Sequence, residues 1–214
     1  MRIVMTRQPL TRILKWGHRV FFVCAALTLG YCGSILLDTW IFQNRQSRDF
    51  DSRLHAGSAG SGIQVPNLPS NSPPGLFAVA IGGLIGRLEV PRLGLSVIVI
   101  EGEDQHTLRR AAGHVPGTPL PGQLGNVGVT AHRDTFFRPL RNIQRNDVIT
   151  LTTLRGEYRY RVVSTRVVRP DDVAVLDSNG GEFLTLVTCH PFYFVGPAPN
   201  RFIVRAERVT GAVT

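Results

Sequence analysis

The sequence has 214 residues, of which 43% are hydrophobic and 18% are charged, enough for one folded domain with its own core. Its formal net charge is +9, but no basic run is interleaved with aromatic residues, so we expect no nucleic-acid partner. Two of the three cysteines lie in an apolar stretch near the N-terminus, so no disulfide framework is implied, and Cys189 stands alone in the remainder of the chain.

The first 42 residues predict a membrane anchor. Residues 20–37 carry no charge, and a helix of about 18 to 20 such residues crosses a bilayer. Residues 1–19 contain five basic and no acidic residues, so the positive-inside rule predicts a cytoplasmic N-terminus and an extracytoplasmic remainder. A cleaved signal peptide is the alternative, but the apolar run is long for one and no small-x-small site follows it before Asp38. We expect an uncleaved, single-pass anchor over residues 20–42.

The next segment, residues 43–75, predicts a flexible linker. It is rich in Ser, Gly, Asn and Pro and poor in apolar residues, which recur there with neither the period of a strand nor that of a helix. We expect it to hold a folded domain a short distance from the membrane.

Residues 76–214 predict a domain made mostly of β-strands. The clearest signal is a pair of alternating, β-branched runs on either side of Arg155 and Gly156, which indicates a hairpin. A short helix is expected to start near Asp104. Many short strands with little helix favour a closed or nearly closed β-barrel.

Three reactive side chains stand at the ends of predicted strands. Cys189 ends the apolar run 183–189, Arg201 begins the next run, and His132 ends the run 126–132. If the strands of Cys189 and Arg201 pair antiparallel, these two residues face each other at one end of the sheet. A guanidinium near the sulfur favours the thiolate and offers hydrogen-bond donors to an oxyanion.

These three residue types suit acyl transfer. Cys189 would attack a carbonyl carbon, His132 would protonate the leaving amine and later deprotonate the incoming nucleophile, and Arg201 would hold the oxyanion. Each residue also has a structural alternative, because a buried free cysteine, a histidine at a strand end and an arginine at a strand start often belong to the scaffold. The spacing of the residues leaves both interpretations open.

Three segments of the chain resemble the motifs of the sortase family. Thr-Leu-Val-Thr-Cys at 185–189 is followed at 201–206 by Arg-Phe-Ile-Val-Arg-Ala, similar to the sortase strand that ends in a cysteine and the next strand with its essential arginine. Residues 125–140 resemble the sortase strand that ends in the active-site histidine, and residues 113–126 resemble the segment just ahead of it. The resemblance covers about residues 83–208, and its details are most similar to class D sortases.

The resemblance implies a closed eight-stranded sortase-type β-barrel with short helices, preceded by the N-terminal transmembrane helix. Sortases are cysteine transpeptidases that cleave a C-terminal sorting signal of the Leu-Pro-x-Thr-Gly type after its Thr. They hold the fragment as a thioester and pass it to an amine of a peptidoglycan precursor or a pilin. The implied partners are therefore proteins with such a signal, an amine acceptor and the membrane.

The resemblance also implies a role for each site residue. On this mapping Cys189 is the nucleophile, His132 is the acid and base, and Arg201 is the oxyanion and substrate clamp. Thr188, just before the cysteine, is expected to help fix the substrate.

Several nearby residues carry weaker hypotheses. His190 directly follows the candidate nucleophile, but successive side chains on an extended segment point to opposite faces, so we expect it to point away from the site. Asp134 is a candidate to orient His132, with a loop-stabilising role as the alternative. We expect His106 and His114 to be structural.

No metal or other cofactor is expected at the site. Two small acidic clusters leave calcium as an open alternative, although most such groups are turn residues. The clusters consist of Glu101, Glu103 and Asp104, and of Asp171 and Asp172.

Two other functions are alternatives to transpeptidation. A membrane-tethered cysteine hydrolase would use the same residues and release its product to water. A non-catalytic adhesion or wall-binding β-barrel would leave Cys189, His132 and Arg201 as parts of the scaffold.

Overall fold

The computed structural model describes residues 8–59, 79–178, 180–193 and 196–209. The chain divides into two compact units, Met1–Ile41 and Phe42–Thr214. Helix α1, Gln8–Ala59, contributes residues to both units.

The first unit is the N-terminal part of α1. By length and composition, the described residues contain one helix able to cross a membrane, and none of its most apolar stretch is buried. Large apolar side chains such as Phe21 and Leu29 are about 70% exposed, at 70% and 73%. The predicted N-terminal apolar helix is therefore confirmed.

The second unit is a closed barrel of eight strands, as predicted. Its strands are β1 Leu84–Val90, β2 Leu95–Glu101, β3 Ala112–His114, β4 Gly125–Thr130, β5 Val148–Thr153, β6 Gly156–Val168, β7 Glu182–His190 and β8 Asn200–Arg208. They follow the order β1-β2-β3-β4-β7-β8-β6-β5 around the barrel, and β5 pairs with β1 to close it. The pairs β2–β3 and β4–β7 are parallel, and the other pairs are antiparallel.

Short helical elements connect the strands. Helix α2, Gln105–Arg110, begins after Asp104, whose carboxylate accepts hydrogen bonds from the next turn and caps it as predicted. Within the described ranges, 3₁₀ turns lie at Pro91–Leu93, Arg138–Asn142 and Val173–Leu176.

The alternation of side chains along β7 separates the core from the site. Leu184 and Leu186 are fully buried in the main hydrophobic cluster with residues of β4 and β8 such as Val129 and Val204. Because successive side chains of a strand point to opposite faces, Val187 and Cys189 project from the other face of β7. The barrel interior thus holds the strand in place while its outer face remains available for chemistry.

The structure corrects the first part of the predicted flexible linker. Residues 43–59 are helical, and within the second unit this segment packs on the barrel. Phe50 is fully buried, and the Arg87 guanidinium lies 5.2 Å from the centre of its ring. The Gln43 amide donates to the Arg110 carbonyl at 2.6 Å and accepts from the Ile98 amide at 3.1 Å. Residues 60–75 of the predicted linker lie outside the described residues.

Replacing Phe50 with alanine is expected to destabilise the barrel unit. Emptying a fully buried aromatic site costs about 3 kcal/mol of unfolding free energy, which corresponds to a melting temperature lower by roughly 6 to 12 °C. Arg48→Ala on the same helix is the matched control, because Arg48 is exposed and its loss is worth less than about 0.5 kcal/mol. Equal melting temperatures for the two variants, measured by thermal unfolding, would show that the segment is not part of the folded unit.

Candidate active site

A cavity of about 490 Å³ lies against the ends of β4, β7 and β8. Cys189, His132 and Arg201 line it, and its walls come from β6, β7 and β8, from the β6–β7 connection and from the segments around α2 and β3. The walls are mostly apolar and are formed by Leu108, Val115, Val168, Val173, Val175, Leu176, Val187 and Ile203. Glu103, Arg169 and Asp172 are the charged residues along these walls. All three residues of the predicted constellation thus line one cavity.

Cys189 and Arg201 are brought together by strand pairing. β7 and β8 are antiparallel, as predicted, and Cys189 is the direct register partner of Arg201. The Arg201 guanidinium is steadied by the start of its own strand, where Nη1 donates to the Asn200 carbonyl at 3.1 Å. Cys189 is only partly buried and lines the cavity.

His132 reaches the site through the parallel pairing of β4 with β7. Thr130 is the register partner of Val187, and the Ala131 amide continues the ladder by donating to the Val187 carbonyl at 3.3 Å. Counting two residues on from this pair, His132 corresponds to Cys189, and both residues line the cavity. The three candidate side chains therefore stand on three adjacent strand ends.

The hydroxyl of Thr188 joins these two strand ends. Thr188 is 2% exposed, and its Oγ1 donates to the Ala131 carbonyl at 2.7 Å. This bond links the residue before Cys189 to the residue before His132. It holds the two strand ends in a fixed relation to each other.

The other histidines lie away from the reacting groups. His190 does not line the cavity; its ring stacks on Phe202 at 6.2 Å between centroids and meets the edge of Phe192 at 6.0 Å. His114 is 2% exposed, and its Nδ1 lies 2.6 Å from the Glu101 carboxylate. Asp134 is exposed and is not among the residues that line the cavity.

Sequence reasoning missed the arginines that hold the β7–β8 loop. Arg133, next to the candidate histidine, donates to the carbonyls of Pro191 and Gly196, each at 3.0 Å. Arg141 donates to the Tyr193 hydroxyl at 2.8 Å. Only the position of Arg133 beside His132 could have drawn attention to it, since its partners are backbone atoms 58 and 63 residues away.

Three of the five carboxylates considered for calcium face donors within the protein. Glu101 faces His114, and Asp171 accepts from Arg169 at 3.0 Å. Hydrogen bonds from the hydroxyl and amide of Thr107 lower the pKa of Asp104 below its ordinary value. Among the residues that the structure describes, no group of three or more His, Cys, Asp or Glu side chains is arranged to hold a metal ion.

Comparison with known proteins agrees with the fold. The family model for the sortase domain matches residues 88–209, which is more than half of the chain. Sortase D of Bacillus subtilis is 31% identical over 200 residues, which cover 89% of this chain and 97% of that protein.

Solved sortase structures share the same fold. A Clostridium perfringens sortase D5 transpeptidase is 28% identical with a TM-score of 0.57, covering 62% of this chain and 83% of that one. Sortase A of Corynebacterium diphtheriae is also 28% identical, with a TM-score of 0.59 over 76% of this chain and 85% of the other. The chain belongs to the sortase family of cysteine transpeptidases.

Proposed function

We propose that this sortase is anchored in the cell membrane, cleaves an LPxTG-like C-terminal sorting signal after its Thr, and transfers the protein to an amine acceptor. The observation that carries the proposal is the placing of Cys189, His132 and Arg201 on adjacent strand ends around one apolar-walled cavity. A bound peptide would present its scissile carbonyl to all three side chains at once.

The first half of the reaction makes a thioester. The Cys189 thiolate attacks the carbonyl carbon of the signal's Thr, and the negative charge that forms on the carbonyl oxygen is held by the Arg201 guanidinium. His132 donates a proton to the leaving amine as the C–N bond breaks. The N-terminal part of the substrate is then esterified to sulfur.

The second half releases the protein to its acceptor. An amine attacks the thioester carbonyl, and His132, now neutral, takes the proton that the amine loses. The tetrahedral oxyanion again lies by Arg201, and collapse breaks the C–S bond to regenerate the thiolate. Water in place of the amine would make the enzyme a hydrolase.

Thr188 acts in this account as a positioning residue. Its hydroxyl donates to the Ala131 carbonyl. Thr188 therefore helps to fix the substrate indirectly, because this bond sets the spacing between the strand ends of Cys189 and His132. The apolar walls suit the leucine side chain of a sorting signal.

The sequence around the N-terminal helix supports the proposed membrane arrangement. Basic residues precede its apolar stretch, so the positive-inside rule predicts a cytoplasmic N-terminus and an extracytoplasmic catalytic barrel. The substrates are then proteins on the extracytoplasmic side of the cell membrane, and the acceptor is the amine of a peptidoglycan precursor or of a pilin.

The proposal is tested by supplying both substrates to the full-length protein in detergent. A library of Leu-x-x-Thr-x peptides is incubated with and without a glycine-type amine, and ligated and hydrolysed products are separated by mass. Ligation that depends on the amine and on a Leu-Pro-x-Thr core is the expected result. Cleavage to the acid alone with every amine tried would favour the hydrolase.

Arg201→Ala is expected to lower kcat/KM by about 10² to 10³, because the oxyanion loses its charged donor. Arg201→Lys keeps the charge but not the planar guanidinium, so its kcat/KM is expected to lie between the values of Arg201→Ala and the wild type. Arg161→Ala, exposed on β6, is the control and should leave peptide transfer unchanged. Wild-type transfer rates in Arg201→Ala would remove Arg201 from the reaction.

A further inference from the structure

One wall of the cavity is a turn with little stability of its own. The 3₁₀ turn Val173–Leu176, called the wall turn below, lies in the β6–β7 connection and places Val173, Val175 and Leu176 on the cavity. A 3₁₀ segment of this length has few internal hydrogen bonds. Its position must therefore be set by the barrel beneath it.

A buried side-chain amide on β4 reaches the wall turn. Asn126 is fully buried, and its Nδ2 donates to the Val175 carbonyl at 3.2 Å and lies 3.5 Å from the Asp177 carbonyl. Its Oδ1 accepts from the hydroxyl of Thr185 on β7, also fully buried, at 2.8 Å. The amide orientation is fixed by these partners, because the opposite orientation would set an oxygen against two carbonyls.

A second strand, β8, reaches the same carbonyl. Nη1 of Arg205 on β8 donates to the Val175 carbonyl at 3.4 Å, and its guanidinium carbon lies 4.2 Å from the centre of the Phe183 ring. Burial, and secondarily the charge of Arg166, lower the pKa of Arg205. Side chains from β4 and β8 thus donate to one carbonyl of the wall turn, and β7 contributes the hydroxyl that orients Asn126.

The wall turn also lies close to the surface of β4. A Cβ added at Gly128 would come 3.1 Å from Cδ2 of Leu176, so only glycine leaves full room for the turn at this point. The polar anchor and the close packing fix the turn on the same stretch of the barrel.

The anchoring residues are far from the reacting atoms. Asn126 lies six positions before His132, and Thr185 lies four positions before Cys189. At about 3.3 Å per strand residue these separations are roughly 20 Å and 13 Å along the strands. They cannot take part in bond making, but they can set the shape of the site that receives the peptide.

We propose that Asn126 and Thr185 are positioning residues that hold the wall turn in its peptide-binding position before the substrate arrives. The idea rests on the proposed role of the cavity as the sorting-signal site. Loss of the anchor would let the wall turn leave its position, so the peptide would have to order it on binding, and affinity would fall while the chemistry at Cys189 stayed intact.

Two variants of Thr185 separate anchoring from general stability. Thr185→Val keeps the shape of the side chain but removes the hydroxyl, leaving the buried Asn126 oxygen without its donor. Thr185→Ser keeps the hydroxyl and is the matched rescue. Asn126→Asp, which sets a carboxylate oxygen against the Val175 carbonyl, is a second disruption of the same contact.

The first readout is the split between KM and kcat in peptide transfer by the full-length protein. Thr185→Val is expected to raise the peptide KM about tenfold while kcat and the rate of Cys189 alkylation by a small reagent stay within about twofold of wild type. Thr185→Ser should resemble the wild type. An unchanged KM in Thr185→Val, or an equal loss in the serine variant, would overturn the proposal.

The second readout needs no substrate. Amide hydrogen exchange over residues 170–178 is expected to be about tenfold faster in Thr185→Val than in Thr185→Ser, because the local opening of the wall turn becomes easier. Exchange that is the same in both variants would overturn the anchoring role. If the wild-type protein cleaves no sorting peptide, that result counts against the proposed function alone. The difference in hydrogen exchange between Thr185→Val and Thr185→Ser still tests whether Thr185 and Asn126 anchor the wall turn.

Discussion

Cys189→Ala is expected to abolish peptide transfer, lowering kcat/KM by on the order of 10⁴-fold or more, while the barrel stays folded. The reaction cannot pass through a thioester without the sulfur, and no other described cysteine lines the cavity. Stability should change by less than about 1 kcal/mol, because Cys189 is only partly buried and alanine keeps its Cβ. Transfer rates and thermal unfolding of the full-length protein check both halves of the expectation.

The matched control is a cysteine of the N-terminal helix. Cys24→Ala removes the same atom from a residue that lies in the first unit, so its transfer rate should equal that of the wild type. Transfer retained by Cys189→Ala would contradict the mechanism. Loss of transfer together with loss of the melting transition would instead assign Cys189 to the scaffold.

His132→Asn is expected to lower kcat/KM by about 10² to 10⁴, the usual contribution of a positioned acid and base. Asparagine keeps hydrogen-bonding capacity but cannot carry the proton between the leaving amine and the acceptor. Steady-state transfer of a sorting peptide to an amine measures the loss. The melting temperature should be close to that of the wild type, because His132 lines the cavity and is only partly buried.

Two other histidine variants make this prediction specific. His106→Asn changes an exposed residue of α2 and should have no effect on transfer. His190→Asn removes a ring that packs on Phe202 and Phe192, so we expect a modest loss of stability and little change in kcat. A larger loss of kcat in His190→Asn than in His132→Asn would exchange their roles.

The barrel could be predicted from local patterns because its strands alternate. The same alternation predicts a strand that ends at Cys189 and another that begins at Arg201. These two strands are consecutive in the chain, and they pair antiparallel as predicted. The pairing of β4 with β7 is parallel and joins segments more than fifty residues apart, so no local pattern contains it. The end of its apolar run marks His132 as a candidate, but only the family resemblance assigns it to the same site as Cys189.

The packed end of α1 shows the limit of composition. Residues 43–59 are polar apart from a few side chains, and their helix is held on the barrel by one buried ring at Phe50 together with the Gln43 amide. One buried apolar side chain, that of Phe50, does not produce the hydrophobic periodicity by which a helix is predicted from sequence. The role of Asn126 could not be predicted either, because an asparagine directly after Gly125 is typical of a turn. Its partners on β7 and in the wall turn become known only from the structure.

The thioester on Cys189 is tested most directly by the mass of the protein after incubation with a sorting peptide and no amine. The account predicts a gain equal to the peptide fragment that precedes the scissile bond, mapped by digestion to Cys189, and released by a glycine-type amine as ligated product. Turnover without any adduct on Cys189, or an adduct at another residue that the amine releases, would contradict it.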